Sequence, residues 1–153
     1  MQNNAPINNI QLESSLKTSS QNYLKAWSEN DTTLLNEAAI RHIVRNVNGE
    51  IVSSNQHELY KNIKFWHTAL PDFKMMAQEI NILGNRTFIN WKRTGTNTGM
   101  FGEITPTGKK SSSEGFSILT FNEQQQLIHV KTYVDVLGVM RDIGYTMQPP
   151  NTD

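Results

Sequence analysis

Apolar side chains recur at three- and four-residue steps from Ile10 to Glu29, where Leu12, Leu16, Tyr23, Leu24 and Trp27 form one stripe that Ser20 completes. That spacing predicts an amphipathic helix. Asp31, ahead of "TTLLNEAA", has the chemistry of an N-cap and predicts a second, short helix, after which the β-branched run "IRHIVRNV" reads as a strand ended by "NGE". Asn55 and Glu58 have capping-box spacing in front of Leu59, Ile63, Trp66 and Leu70, which share a face of a third helix that Pro71 stops. Beyond Pro71 the period becomes two. "FKMMAQEINIL", "RTFINWKRTGT", "SSEGFSILTF" and "LIHVKTYVD" read as strands of an antiparallel meander, and "VLGVMRDIGY" as a closing short helix or turn. Helices followed by a curved sheet predict an α+β domain with three helices over one face. Polar residues dominate 1–9 and 146–153, so the expected organisation is a flexible N-terminus, one domain over 10–145 and a flexible C-terminal tail.

A chain of 153 residues suits one domain, and its 14 basic and 14 acidic residues cancel, which gives no support to a nucleic-acid or polybasic membrane partner. Without cysteine there are no disulfides, thiolate metal sites or cysteine nucleophiles. The start "MQNNAPINNIQLESS" has neither a basic nor an apolar run, and no stretch is long enough to span a bilayer, so the expectation is a cytoplasmic protein in which the sequons at Asn30 and Asn85 go unused.

The loop "GTNTGMFGEITPTGKK" invites a phosphate-binding reading through Gly102 and Gly108-Lys109, but the spacing is one residue too long and Lys110 stands where Ser or Thr would hold magnesium. Its expected context, strand to strand, also disagrees. His42, His57, His67 and His129 show no metal-ligand spacing, and no serine sits in a nucleophile elbow. His67, beside Trp66, is either a hydrogen-bonded wall residue or a catalytic base.

Alternation in the last strand places His129, Lys131, Tyr133 and Asp135 on one face and Ile128, Val130, Thr132 and Val134 on the other. The polar face either meets water or lines a cavity, and periodicity leaves both open. Trp91 and Arg93 share a face of the second meander strand. They supply stacking area and fixed charge to a ligand, or else Trp91 is core and Arg93 pairs with a carboxylate such as Glu114.

"YLKAWSENDTTLLNEA", "LPDFKMMAQEINILGNRTFINWKRTGTNTGMFGEITPTGKK" and "DVLGVMRDIG" resemble, in order and spacing, the SnoaL-like polyketide cyclase family of the nuclear-transport-factor-2-like superfamily. The resemblance implies a cone-shaped half-barrel of strongly bent, mostly antiparallel sheet, covered by three N-terminal helices and enclosing an apolar cavity. It further implies a homodimer formed through the sheet and ring closure by an intramolecular aldol step with no metal and no cofactor. It makes the loop the shaped mouth of the cavity and favours the inward reading of the 129–135 face. The carboxylate matching the family's acid/base is Asp135. The chain departs from the family pattern at His129-Val130-Lys131, where Glu-x-Trp is common, and at Asn97, where His is common; His129 and Lys131 are positioned to pair with Asp135.

Two functions follow from these observations. One is a cofactor-independent cyclase, isomerase or dehydratase acting on a hydrophobic carbonyl compound, with Asp135 as acid/base, His129, Lys131 and Tyr133 tuning it, and Trp91 holding the substrate. The other is a non-catalytic small-molecule-binding or dimeric interaction module with the same cavity.

Overall fold

In the computed structural model, which describes residues 8–152, each predicted helix end has a capping interaction that the sequence supplies. Helix α1, Asn9–Glu29, opens on Asn8, whose side chain accepts from the Gln11 N–H at 2.8 Å, and closes at Asn30, which adopts φ 55°. Its buried stripe contains Leu16, Ser20, Tyr23, Leu24 and Trp27. Ser20 carries no desolvation penalty there, since its hydroxyl donates to the Leu16 carbonyl at 2.7 Å and lies 2.8 Å from that of Thr87. The expected second helix is a single 3-10 turn, Thr32–Leu35, capped by Asp31. Helix α2, Gln56–Ala69, starts where Asn55 Oδ1 accepts from the Glu58 N–H at 2.9 Å and the Glu58 carboxylate reaches back to the Ser54 N–H at 2.6 Å. Leu59 and Ile63 are fully buried, each contributing on the order of 2 kcal/mol of hydrophobic stabilisation.

Strand β1, Ala39–Val47, ends at "NGE" as expected, but the chain does not leave the sheet there. Asn48 and Gly49, with φ of 50° and 92°, form a tight two-residue turn that returns the chain into strand β2, Glu50–Ser53. The four strands after Pro71 are β3, Lys74–Leu83, β4, Arg86–Thr96, β5, Lys110–Phe121, and β6, Leu127–Val134, paired antiparallel in sequence order as the period-two pattern predicts. The exception lies at the other edge of β6, where β1 pairs in parallel, giving the order β2-β1-β6-β5-β4-β3. Register shifts at Arg45/Asn46, Ala77/Glu79 and Thr120/Phe121 bend the six-stranded, unclosed sheet. Helix α3, Val136–Asp142, follows β6 directly. The architecture is the expected α+β one, with the third helix supplied from the C-terminal side.

The glycine- and threonine-rich loop between β4 and β5 is pinned to the end of α2 by Asn97, which is 2% exposed. Its Nδ2 donates to the carbonyls of Ala69 and Gly99, and its Oδ1 accepts from the backbone and hydroxyl of Thr107. Gly99 is required by this docking, because a Cβ there would lie 1.7 Å from the Thr68 carbonyl oxygen. The expected flexible N-terminus over 1–9 falls largely outside the described residues, while 146–152 contain no helix or strand and are exposed. Among the described residues no helix is long and apolar enough to cross a membrane.

Candidate functional site

Between the helices and the inner face of the sheet lies a cavity of about 210 Å³. Each wall follows from local periodicity. Tyr23 and Trp27 come from the α1 stripe, and Asn62 and Trp66 from successive turns of α2. On β4, strict alternation buries Thr87, Ile89, Trp91 and Arg93 on the face toward the helices. The chain has three tryptophans, and all of them line this cavity.

Trp91 is held in place by its neighbours on two strands. Its indole N–H donates to Ser117 Oγ at 2.9 Å, and that hydroxyl lies 2.9 Å from Thr132 Oγ1. Gly115, its register partner on β5, leaves the ring room to lie flat on the strand; a Cβ there would stand 2.2 Å from the ring.

Arg93 is 4% exposed, with its guanidinium 5.3 Å from the Trp66 ring. Its Nη2 donates to Ser111 Oγ at 3.3 Å, whereas its Nη1 has no hydrogen-bond partner. Burial pulls its pKa below the ordinary guanidinium value to about 10, against the pull of Asp142, so the group stays cationic at neutral pH. Asp142 reaches it only through Ser111, whose hydroxyl donates to Asp142 Oδ2 at 3.1 Å. A second cation, Arg45 of β1, stacks 4.8 Å from the Trp27 ring and has a buried, unpartnered Nε. Among the described residues lining the cavity there is no carboxylate and no imidazole.

Of the residues singled out in the sequence, Trp91 and Arg93 are therefore brought together, and the rest lie elsewhere. The inward reading of the 129–135 face is corrected. Val130 and Thr132 are buried and Thr132 and Val134 line the cavity, while Lys131 and Tyr133 are exposed. The physical reason is that the helices cover the apolar side of β6, as they do for any two-layer packing. Tyr133, Asp135 and Glu114 border a shallow depression on the opposite face of the sheet, together with Gln78.

Asp135 caps α3, accepting from the Gly138 N–H at 2.8 Å, and its nearest cation is Arg141 at 3.8 Å, not His129 or Lys131. His129 instead contacts Asn46 Oδ1 through Nε2 at 2.6 Å; burial, and secondarily the charge of Lys131, hold its pKa below the usual value. Glu114 is likewise no partner for Arg93, because it stands opposite Lys92 on the outer face with Gln78 Nε2 at 3.4 Å. His67 sits behind the wall, its Nε2 2.5 Å from the Trp27 carbonyl oxygen and its ring 5.2 Å from that of Phe73.

Arg45 was the cavity residue least visible in the sequence. Alternation along β1 does place it with Ile43 and Val47, and a basic residue on an otherwise apolar strand face was the available signal. Trp27 and Trp66 were legible as buried helix-stripe residues, but their convergence depends on how α1 and α2 cross the sheet.

Comparison with solved structures shows a shared fold. AclR from Streptomyces galilaeus superposes with a TM-score of 0.76 at 20% identity, covering 90% of this chain and 85% of that one. TsrD from Streptomyces laurentii gives 0.74 at 17% identity, covering 86% and 96%. A candidate SnoaL-like polyketide cyclase from Jannaschia Sp. CCS1 gives 0.77 at 15% identity, covering 98% and 100%. No curated protein matches the chain significantly. The family description SnoaL-like polyketide cyclase matches residues 17–143, which include every cavity wall named above, and the chain belongs to that family.

Proposed function

We propose that the protein takes a small hydrophobic carbonyl compound into the Trp27–Trp66–Trp91 cavity and carries out cyclase-, isomerase- or dehydratase-type chemistry on it without a cofactor. The observation that supports this reading is the cavity itself, aromatic on several sides and provided with a few fixed donors, in a chain of the cyclase family. Asp135 is the acid/base in this reading. It lies between Val134 and Val136, both of the cavity wall, at the point where β6 becomes α3. To act, its carboxylate exchanges the Gly138 N–H and Arg141 for the substrate, takes a proton from the activated carbon, and leaves the carbonyl oxygen to be protonated in turn.

Asp135→Asn retains a capping oxygen for Gly138, so the fold should be kept while proton transfer is lost. The measurement is hydrogen–deuterium exchange at the methyl group of 2-acetylnaphthalene, followed by proton NMR in deuterated buffer. Wild type is expected to exceed the variant by roughly 100-fold or more, the usual scale of general-base catalysis. Equal rates would remove Asp135 from the chemistry. The second reading, a non-catalytic binding module, is favoured by the lack of any carboxylate or imidazole among the described cavity-lining residues. Binding without exchange in either protein would select it.

We also propose that two copies pair through the outer face of the sheet. Support comes from Met76 and Tyr133, 58% and 47% exposed, and from the half-buried Phe88 and Phe116, whose ring centroids are 6.3 Å apart on that face. Sedimentation velocity should return a dimer mass for wild type and a monomer for Phe116→Asp; a monomeric wild type refutes the pairing.

A further inference from the structure

Resting on the cavity reading above, we infer that the occupant is an anion: a one- or two-ring aromatic acid whose carboxylate pairs with the Arg93 guanidinium and whose ring lies among the three tryptophans. The charge balance of the cavity carries this. Its lining holds two guanidiniums, Arg45 and Arg93, and no carboxylate among the described residues. Arg93 is almost completely buried, yet its hydrogen bonding is limited to one neutral hydroxyl at 3.3 Å, and Nη1 has no partner. A desolvated cation with an orphan donor is costly until an acceptor of opposite charge arrives. The protein places no carboxylate in direct contact with it, since Glu114 is on the far side of the sheet and Asp142 acts on it only across the Ser111 hydroxyl.

A carboxylate meets the need in kind, because its two oxygens match the planar fork of a guanidinium. Arg45 adds a second positive charge, with its own unpartnered Nε. The remaining wall is aromatic, from Tyr23, Trp27, Trp66, Phe73 and Trp91, and suits a flat apolar body. A volume of about 210 Å³ sets the size at one or two rings.

The test compares two probes with the same ring system, 2-naphthoate and neutral 2-acetylnaphthalene, by calorimetry and by tryptophan fluorescence at neutral pH. Because every tryptophan lines the cavity, quenching reports on occupancy of this site. Wild type is expected to bind naphthoate at least about 10-fold more tightly than the ketone, the scale of one charge-assisted hydrogen bond. Arg93→Met should abolish the preference, naphthoate losing at least about 10-fold more affinity than the ketone. Arg45→Met, a half-buried position, is the second variant should Arg93→Met not fold, and is expected to cut the preference several-fold. Ketone binding equal to or tighter than naphthoate overturns the anion while the cavity reading stands. A preference unchanged in the folded variants also overturns it, and binding of neither probe overturns both.

Discussion

Replacing Asn97 with alanine should lower the stability of the folded protein by about 3 kcal/mol, the upper range for loss of a buried hydrogen-bonded network. The side chain is 2% exposed and makes hydrogen bonds of 3.1 Å to the Ala69 carbonyl, 2.9 Å to the Gly99 carbonyl, and 3.0 and 3.1 Å from the Thr107 backbone and hydroxyl. Alanine leaves the carbonyls of the buried Ala69 and the half-buried Gly99 without this donor. It also unties the loop from the C-terminus of α2, where Gly99 already sits too close to Thr68 for any side chain. In a chain of this size the loss corresponds to a fall in Tm of roughly 6–12 °C. Thermal unfolding by circular dichroism measures it. A fall of only a degree or two would mean that water replaces the amide and that the loop is held by its backbone contacts alone.

Gly115→Ala is expected to have its largest effect on the cavity. The added methyl would stand 2.2 Å from the Trp91 ring, and the ring cannot slide along the sheet without breaking its 2.9 Å hydrogen bond to Ser117. Its remaining direction of escape is into the cavity, whose volume is about 210 Å³. Binding of 2-acetylnaphthalene should fall by at least about 10-fold, and overpacking should cost about 1–3 kcal/mol of stability. Calorimetry and a denaturant melt read the two quantities separately. Unchanged ligand affinity with lowered stability would show that Trp91 moves without intruding, and that the wall at this point does not shape the site.

Most of the fold could be read along the chain because the signals are local. The α1 stripe, the Asn55 cap, the stop at Pro71 and the period-two strands of the meander each depend on residues within a few positions of one another. Asn48-Gly49 is the signature of the hairpin into β2, but the run after it, Glu50–Ser53, is too short to carry a period of its own, so the strand is not legible from spacing. The parallel pairing of β1 with β6 could not be seen at all. Those strands are separated by five other elements, and nothing in either one names its partner across that distance.

The site divides in the same way. Alternation placed Trp91 with Arg93, which line one cavity, and grouped His129, Lys131 and Tyr133 along β6, whereas Asp135 lies beyond the strand as the cap of α3. What alternation cannot supply is the sign of a face, since a period of two distinguishes two sides without saying which one the helices cover. Tertiary packing decided that the Val130–Thr132–Val134 side of β6 turns inward, that Glu114 and Arg93 lie on opposite sides of the sheet, and that Arg45, Arg93 and three tryptophans meet around one cavity. Local spacing determined the longer elements and their two faces. The burial of apolar area between layers then chose among faces, and it is that choice, made over the whole chain at once, that brings two cations and no carboxylate to the cavity wall.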